Sequence, residues 1–137
     1  MKLIGIEHIG IAVKNLNDSI KFYEEILGLE CYAIEHVETQ FVKTAFFKIG
    51  EIKIELLEAT NSESPIASFI EKRGEGLHHI AYKVEHINDA LKEIKSKGIR
   101  LINNTAQPGA EGLLIAFVNP KFTNGVLTEL CSQNHEI

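Results

Sequence analysis

Two histidines and two glutamates of this 137-residue chain recur at matching places and have the chemistry to hold a divalent metal ion. His8 opens the string HIGIAV, and His79, 71 residues later, opens HIAYKV; Glu55 lies in IKIELLE and Glu129 in GVLTELC. The intervals from histidine to glutamate, 47 and 50 residues, are nearly equal. Imidazole nitrogen and carboxylate oxygen suit borderline ions such as Zn²⁺, Co²⁺, Ni²⁺, Mn²⁺ or Fe²⁺, and a set without cysteine argues against a closed structural zinc site. Open coordination positions then remain for a substrate. Both glutamates stand among apolar residues, Ile54 and Leu56 in one string and Leu127 and Leu130 in the other. A carboxylate buried there needs a compensating charge, which a metal supplies. The plainer alternative is that both face solvent, as half the residues of a strand do.

A second histidine, His78, precedes His79 in GEGLHHIAYKV. Successive side chains of a strand point to opposite faces, so only one of the two addresses a given site. The repeat selects His79, because HIGIAV and HIAYKV align residue for residue only when it is chosen. His36, His86 and His135 have no counterpart in the other copy and are read as surface residues.

The repeat extends beyond the histidines. HIGIAVKNLNDSIKFYEEILGLE aligns with HIAYKVEHINDALKEIKSKGIRL, with Val13 over Val84, Leu16 over Ile87, Asp18 over Asp89 and Ile20 over Leu91. Self-similarity of this kind marks a duplicated structural unit. Each copy opens with a strand, passes a polar break and continues as an amphipathic helix, with Leu16, Ile20, Tyr23 and Leu27 at helical spacing in the first and Ile87, Leu91 and Ile94 in the second. Gly28 and Gly98 fall where a helix takes a left-handed cap. Strand signals then return as LECYAIEHV, QFVKTAFFKIG and EIKIELLE in the first copy, and as IRLI, LLIAFV and GVLTELC in the second. The polar NNTAQPGAEG reads as a loop. Between the copies, Ser64 as N-cap, Pro65 at the first helical position and the glycines Gly74 and Gly76 predict a short connecting helix over 64–74.

The expected fold is therefore α+β: two pseudo-symmetric βαβββ modules, 1–60 and 77–132, pairing into one curved mixed sheet around a metal site within a single domain, 1–137. A chain of this length buries a core without disulfides, and its 45% hydrophobic and 24% charged composition is that of an ordinary globular protein. Cys31 and Cys131 lie far apart and read as reduced thiols. A net charge of −5 with no basic stripe disfavours a nucleic-acid partner. No apolar run approaches the ~20 residues that span a bilayer, and the N-terminus lacks the order of a secretory signal. A cytoplasmic location without membrane association is the expectation.

With these motifs in view, the chain resembles the vicinal oxygen chelate superfamily over almost its full length and, within it, the methylmalonyl-CoA epimerase family. HIGIAVKNLNDSIKFYEEILGLE and FVNPKFTNGVLTEL carry part of the likeness; IELLEATNSESPIASFIEKRGEGLHHIAYKV is the most specific string. The resemblance implies a homodimer that binds an acyl-CoA thioester, and a divalent metal, Co²⁺ foremost with Zn²⁺, Ni²⁺ or Mn²⁺ as others, held by His8, Glu55, His79 and Glu129. It implies interconversion of the 2R and 2S forms of methylmalonyl-CoA through an enolate, with acid/base groups on both faces of the α-carbon. Glu129 matches one such base. The other, a glutamate following a Gln-Gly-Val-like segment in some members, aligns with Thr44, which is no base at neutral pH; Glu55 takes the role by pseudo-symmetry, or a water held by Thr44 does. Gln40, Thr44 and Lys121 are the implied substrate contacts. Asn119 replaces a histidine usual in the family. A glyoxalase I-like lactoylglutathione lyase uses the same fold and ligand set and is the main enzymatic alternative, and a non-catalytic binding protein of this fold is the other.

Overall fold

The architecture was analysed in a computed structural model in which residues 1–134 are described; His135 lies outside them. The elements run β1 (Leu3–Ala12), α1 (Leu16–Lys21), β2 (Ala33–Val37), β3 (Val42–Ile49), β4 (Ile52–Ala59), α2 (Pro65–Arg73), β5 (Gly76–Val84), α3 (Ile87–Ser96), β6 (Gln107–Pro108), β7 (Leu113–Val118) and β8 (Thr128–Gln133). This is the expected α+β class, with strand, helix and three strands twice over. Backbone contacts divide the chain into two compact units, residues 8–78 and residues 1–7 with 79–137, so β1 contributes to both.

In the first unit the strand order is β2-β3-β4-β1, antiparallel except for the parallel pair β1 and β4. A parallel pair needs a long connection, and the intervening helix and two strands provide it. Leu16 of α1 is buried against Val13, Ala45, Phe47 and Leu56, with Ile20 and Tyr23 packed beside it. Asn15 caps the helix by accepting a hydrogen bond from the Asp18 N–H. Leu27 departs from the periodic expectation and is 51% exposed. The helix continues over Phe22–Ile26 as a π turn, closed by the Leu27 N–H bonding the Phe22 carbonyl. The extra residue in that turn rotates Leu27 off the buried face. Gly28 comes next at φ 72°, as a left-handed cap requires.

The second unit repeats the plan with order β5-β8-β7-β6 and a parallel β5–β8 pair. Ile87, Ala90, Leu91 and Ile94 of α3 are buried against Val84, Ala116, Val118 and Leu130. The expected strand at IRLI forms only an isolated bridge, Leu101 to Val118. The Asn103 side chain accepts the Phe117 N–H at 2.9 Å, taking the donor a continuing ladder would use. The chain rejoins the sheet later, inside the expected loop, as the two-residue β6. The connecting helix α2 begins where Ser64, fully buried, accepts from the Ile66 N–H, and ends at Gly74. It groups with the first unit, its Ile66 buried against Ala12, Val42 and Leu57.

Candidate functional site

Strand register places the predicted ligands. In the first unit Gly10 of β1 stands beside Glu55 of β4; in the second, Ala81 of β5 stands beside Glu129 of β8. Each glutamate is thus in register with the residue two beyond its histidine, and positions two apart share a face. The side chains meet accordingly. His8 Nδ1 lies 2.9 Å from Glu55 Oε2, and His79 Nε2 lies 3.6 Å from Glu129 Oε1. All four residues are buried, none more than 5% exposed. The solvent-facing alternative for the glutamates is therefore wrong.

Two phenylalanines complete the surroundings, and sequence reasoning missed them. Phe46 of β3 is in register with Glu55, and Phe117 of β7 with Glu129; the Phe117 ring meets the His79 ring edge to face, centroids 5.7 Å apart. These phenylalanines are themselves 71 residues apart, the offset of the histidines, and that spacing was the available signal. They wall each His–Glu pair with apolar surface. Glu7, beside His8, is also buried and was not singled out.

His78 has a different environment. Its ring packs edge-on against Phe69 of α2 at 4.9 Å, while Arg73 sits over the same phenylalanine. Burial, with Arg73 nearby, lowers its pKa to about 4, so at neutral pH it is an uncharged packing residue. His36 and His86 are exposed, as expected.

Thr44 is 1% exposed and in register with Leu57, two residues along β3 from Phe46 and hence on the face that carries Glu55. Gln40 lies in the 3₁₀ turn before β3, its carbonyl accepting from the Ser64 hydroxyl at 3.4 Å. Lys121 is exposed in a 3₁₀ turn whose N-cap is Asn119, the side chain of which accepts the Lys121 N–H at 3.0 Å. Asn119 thus has a local structural task. Cys31 and Cys131 are not joined by a disulfide, and the Cys131 thiol donates to the Tyr82 carbonyl. No helix among the described residues is long and apolar enough to cross a membrane.

Residues 7–117 match one family model, and the chain belongs to the glyoxalase/bleomycin resistance protein/dioxygenase superfamily. Among individual proteins, it is 36% identical over 126 residues to the mitochondrial methylmalonyl-CoA epimerase of Homo sapiens, covering 91% of this chain and 72% of that one. It is 44% identical to the uncharacterized protein YqjC of Bacillus subtilis, covering 92% and 90%. Among solved structures, a methylmalonyl-CoA epimerase in complex with methylmalonyl-CoA and NH4+ is similar at 35% identity with a TM-score of 0.93, covering 98% of this chain and 97% of that chain.

Proposed function

We propose that this chain is a divalent-metal-dependent epimerase that interconverts the 2R and 2S forms of methylmalonyl-CoA, with His8, Glu55, His79 and Glu129 as the metal ligands. The observation that carries the reading is the pair of buried histidine–glutamate contacts, one per unit, in equivalent register. The donor set fits the group. Imidazole nitrogens and carboxylate oxygens match a borderline divalent ion, and two carboxylates this deeply buried are costly without a compensating cation. Co²⁺ is the first choice, on the family resemblance. Such an ion supplies Lewis-acid stabilisation of the negative charge that develops on the thioester oxygen as the α-proton leaves.

The protein's residues supply the rest. Glu129 accepts the α-proton on one face of the carbon, and Glu55 returns one from the other, exchanging roles in the reverse direction. Phe46 and Phe117 keep water from these carboxylates, which strengthens their charge interactions. The Thr44 hydroxyl and Gln40 are substrate contacts, and Lys121 offers a cation to a phosphate or carboxylate. Family resemblance also supports a homodimer, and a single domain over 1–137 in a cytoplasmic setting belongs to the same proposal.

Incubating one enantiomer of methylmalonyl-CoA with Co²⁺-loaded protein in D₂O tests the reading. Racemisation with one deuterium entering at the α-carbon is expected, and the hemithioacetal of methylglyoxal and glutathione should be turned over poorly. Rapid conversion of the hemithioacetal, with the CoA thioester untouched, would replace the epimerase by a glyoxalase I-like lyase.

A further inference from the structure

The residue before β3 is conformationally costly. Phe41 adopts φ 52° and ψ 50°, the left-handed region that a bulky side chain rarely enters. Its backbone is held there at both ends: its N–H donates to the Glu38 carbonyl at 3.1 Å, and its own carbonyl accepts from the Thr60 N–H at 2.9 Å. Glycine or asparagine would occupy the position with less strain. Core packing does not explain the phenylalanine either, since the residue is 39% exposed. A left-handed aromatic, partly exposed at the start of a site-bearing strand where glycine would serve the backbone, points to a ligand.

Position along the strand indicates which part of the ligand. Val42, the next residue, is buried against Ala12, Leu57 and Ile66, and Thr44 and Phe46 come after it on the same face. Phe46 is in register with Glu55, and Val42, where β3 opens, stands four residues away, about 14 Å at the rise of a β-strand, with Phe41 in the turn one residue beyond. That is the length scale of the pantetheine arm separating a thioester carbonyl from its nucleotide. We propose that the Phe41 ring stacks on the adenine base of the CoA thioester. The inference rests on the acyl-CoA reading above. It assigns the far end of the substrate to a residue whose conformation is set by the turn of Glu38–Gln40, with the Gln40 carbonyl tied to Ser64 at the start of α2.

Calorimetric titration of free CoA into metal-loaded protein, with thermal melts of the same samples, tests it without requiring turnover. Phe41→Gly and Phe41→Asn should melt higher than the wild type, because strain is relieved, yet bind CoA about tenfold more weakly, within the range that one base–aromatic stack supplies. Phe41→Tyr keeps a stacking ring and should bind as the wild type does. In turnover, KM for methylmalonyl-CoA should rise in the glycine and asparagine variants, and the penalty should vanish with methylmalonyl-pantetheine, which has no adenine. CoA binding unchanged in Phe41→Gly, a lower melting temperature in both ring-deleted variants, or an equal penalty with the pantetheine thioester each overturns the stacking contact. A wild type that binds CoA without epimerising its thioester overturns the reaction proposed above and leaves the calorimetric comparison to decide Phe41.

Discussion

The two units build the same contact with different atoms. In the first, His8 turns Nδ1 to Glu55 at 2.9 Å; in the second, His79 turns Nε2 to Glu129 at 3.6 Å, with a phenylalanine ring edge-on beside it. What is common is the backbone register, glutamate beside the residue two beyond the histidine on a parallel neighbour. What differs is the ring nitrogen that faces the carboxylate and the outer strand, five residues in β2 against two in β6. Duplication here preserves the ladder and leaves side-chain geometry and sheet edges to diverge.

The largest effect should come from the carboxylates themselves. Glu129→Gln and Glu55→Gln keep size and a ligand oxygen but cannot take a proton, so each should lose about 10²- to 10⁴-fold in epimerisation rate with metal retained. Equal losses make the units chemically equivalent; a wild-type rate for Glu55→Gln would break the symmetry and leave Glu55 a ligand alone, with a water at Thr44 the better base. The histidines test the same equivalence through metal content. His8→Ala and His79→Ala should each lower metal affinity by at least about 10- to 100-fold, since removing a ligand costs more than disturbing its support. His78→Ala, one residue away on the other face, should bind as the wild type does, measured by elemental analysis after dialysis.

Core substitutions compare the walls. Phe46 is fully buried, so Phe46→Ala should cost about 3–5 kcal/mol in chemical denaturation. The equivalent Phe117→Ala should cost visibly less, because Phe117 is only half-buried. Loss of a helix cap is smaller: Ser64→Ala at the start of α2 should cost about 1 kcal/mol. Smallest of all, Leu27→Lys at the exposed end of the π turn should change stability by less than about 0.5 kcal/mol, whereas a straight α-helix would have made it a core substitution.

Much of this was legible because duplication prints the same constraint twice. His8 and His79, Glu55 and Glu129, and the two helix faces are each recognisable from their partners, and strand alternation separates His78 from His79. The hidden parts are those where one copy departs from the other or where no periodicity signals the event. A π turn leaves the apolar spacing of Leu16, Ile20 and Tyr23 intact and displaces only the residues beyond it, Leu27 first. IRLI has the composition of a strand, but one side-chain acceptor on Asn103 diverts it, and composition does not register a single hydrogen bond. Phe41 in a left-handed turn is invisible for the opposite reason: sequence rules place glycine or asparagine there.

The brevity of β6 bears on how the molecule keeps to itself in a crowded solution. A terminal strand with a full row of unpaired amides and carbonyls is a template on which another chain can build. Here that margin is two residues long, and the second is Pro108, which has no N–H to offer an incoming strand. Restoring a regular strand there, for instance by Pro108→Val, would extend the exposed hydrogen-bonding margin of the second unit. The cost would appear as slow precipitation at high concentration rather than as a loss of folding or of chemistry.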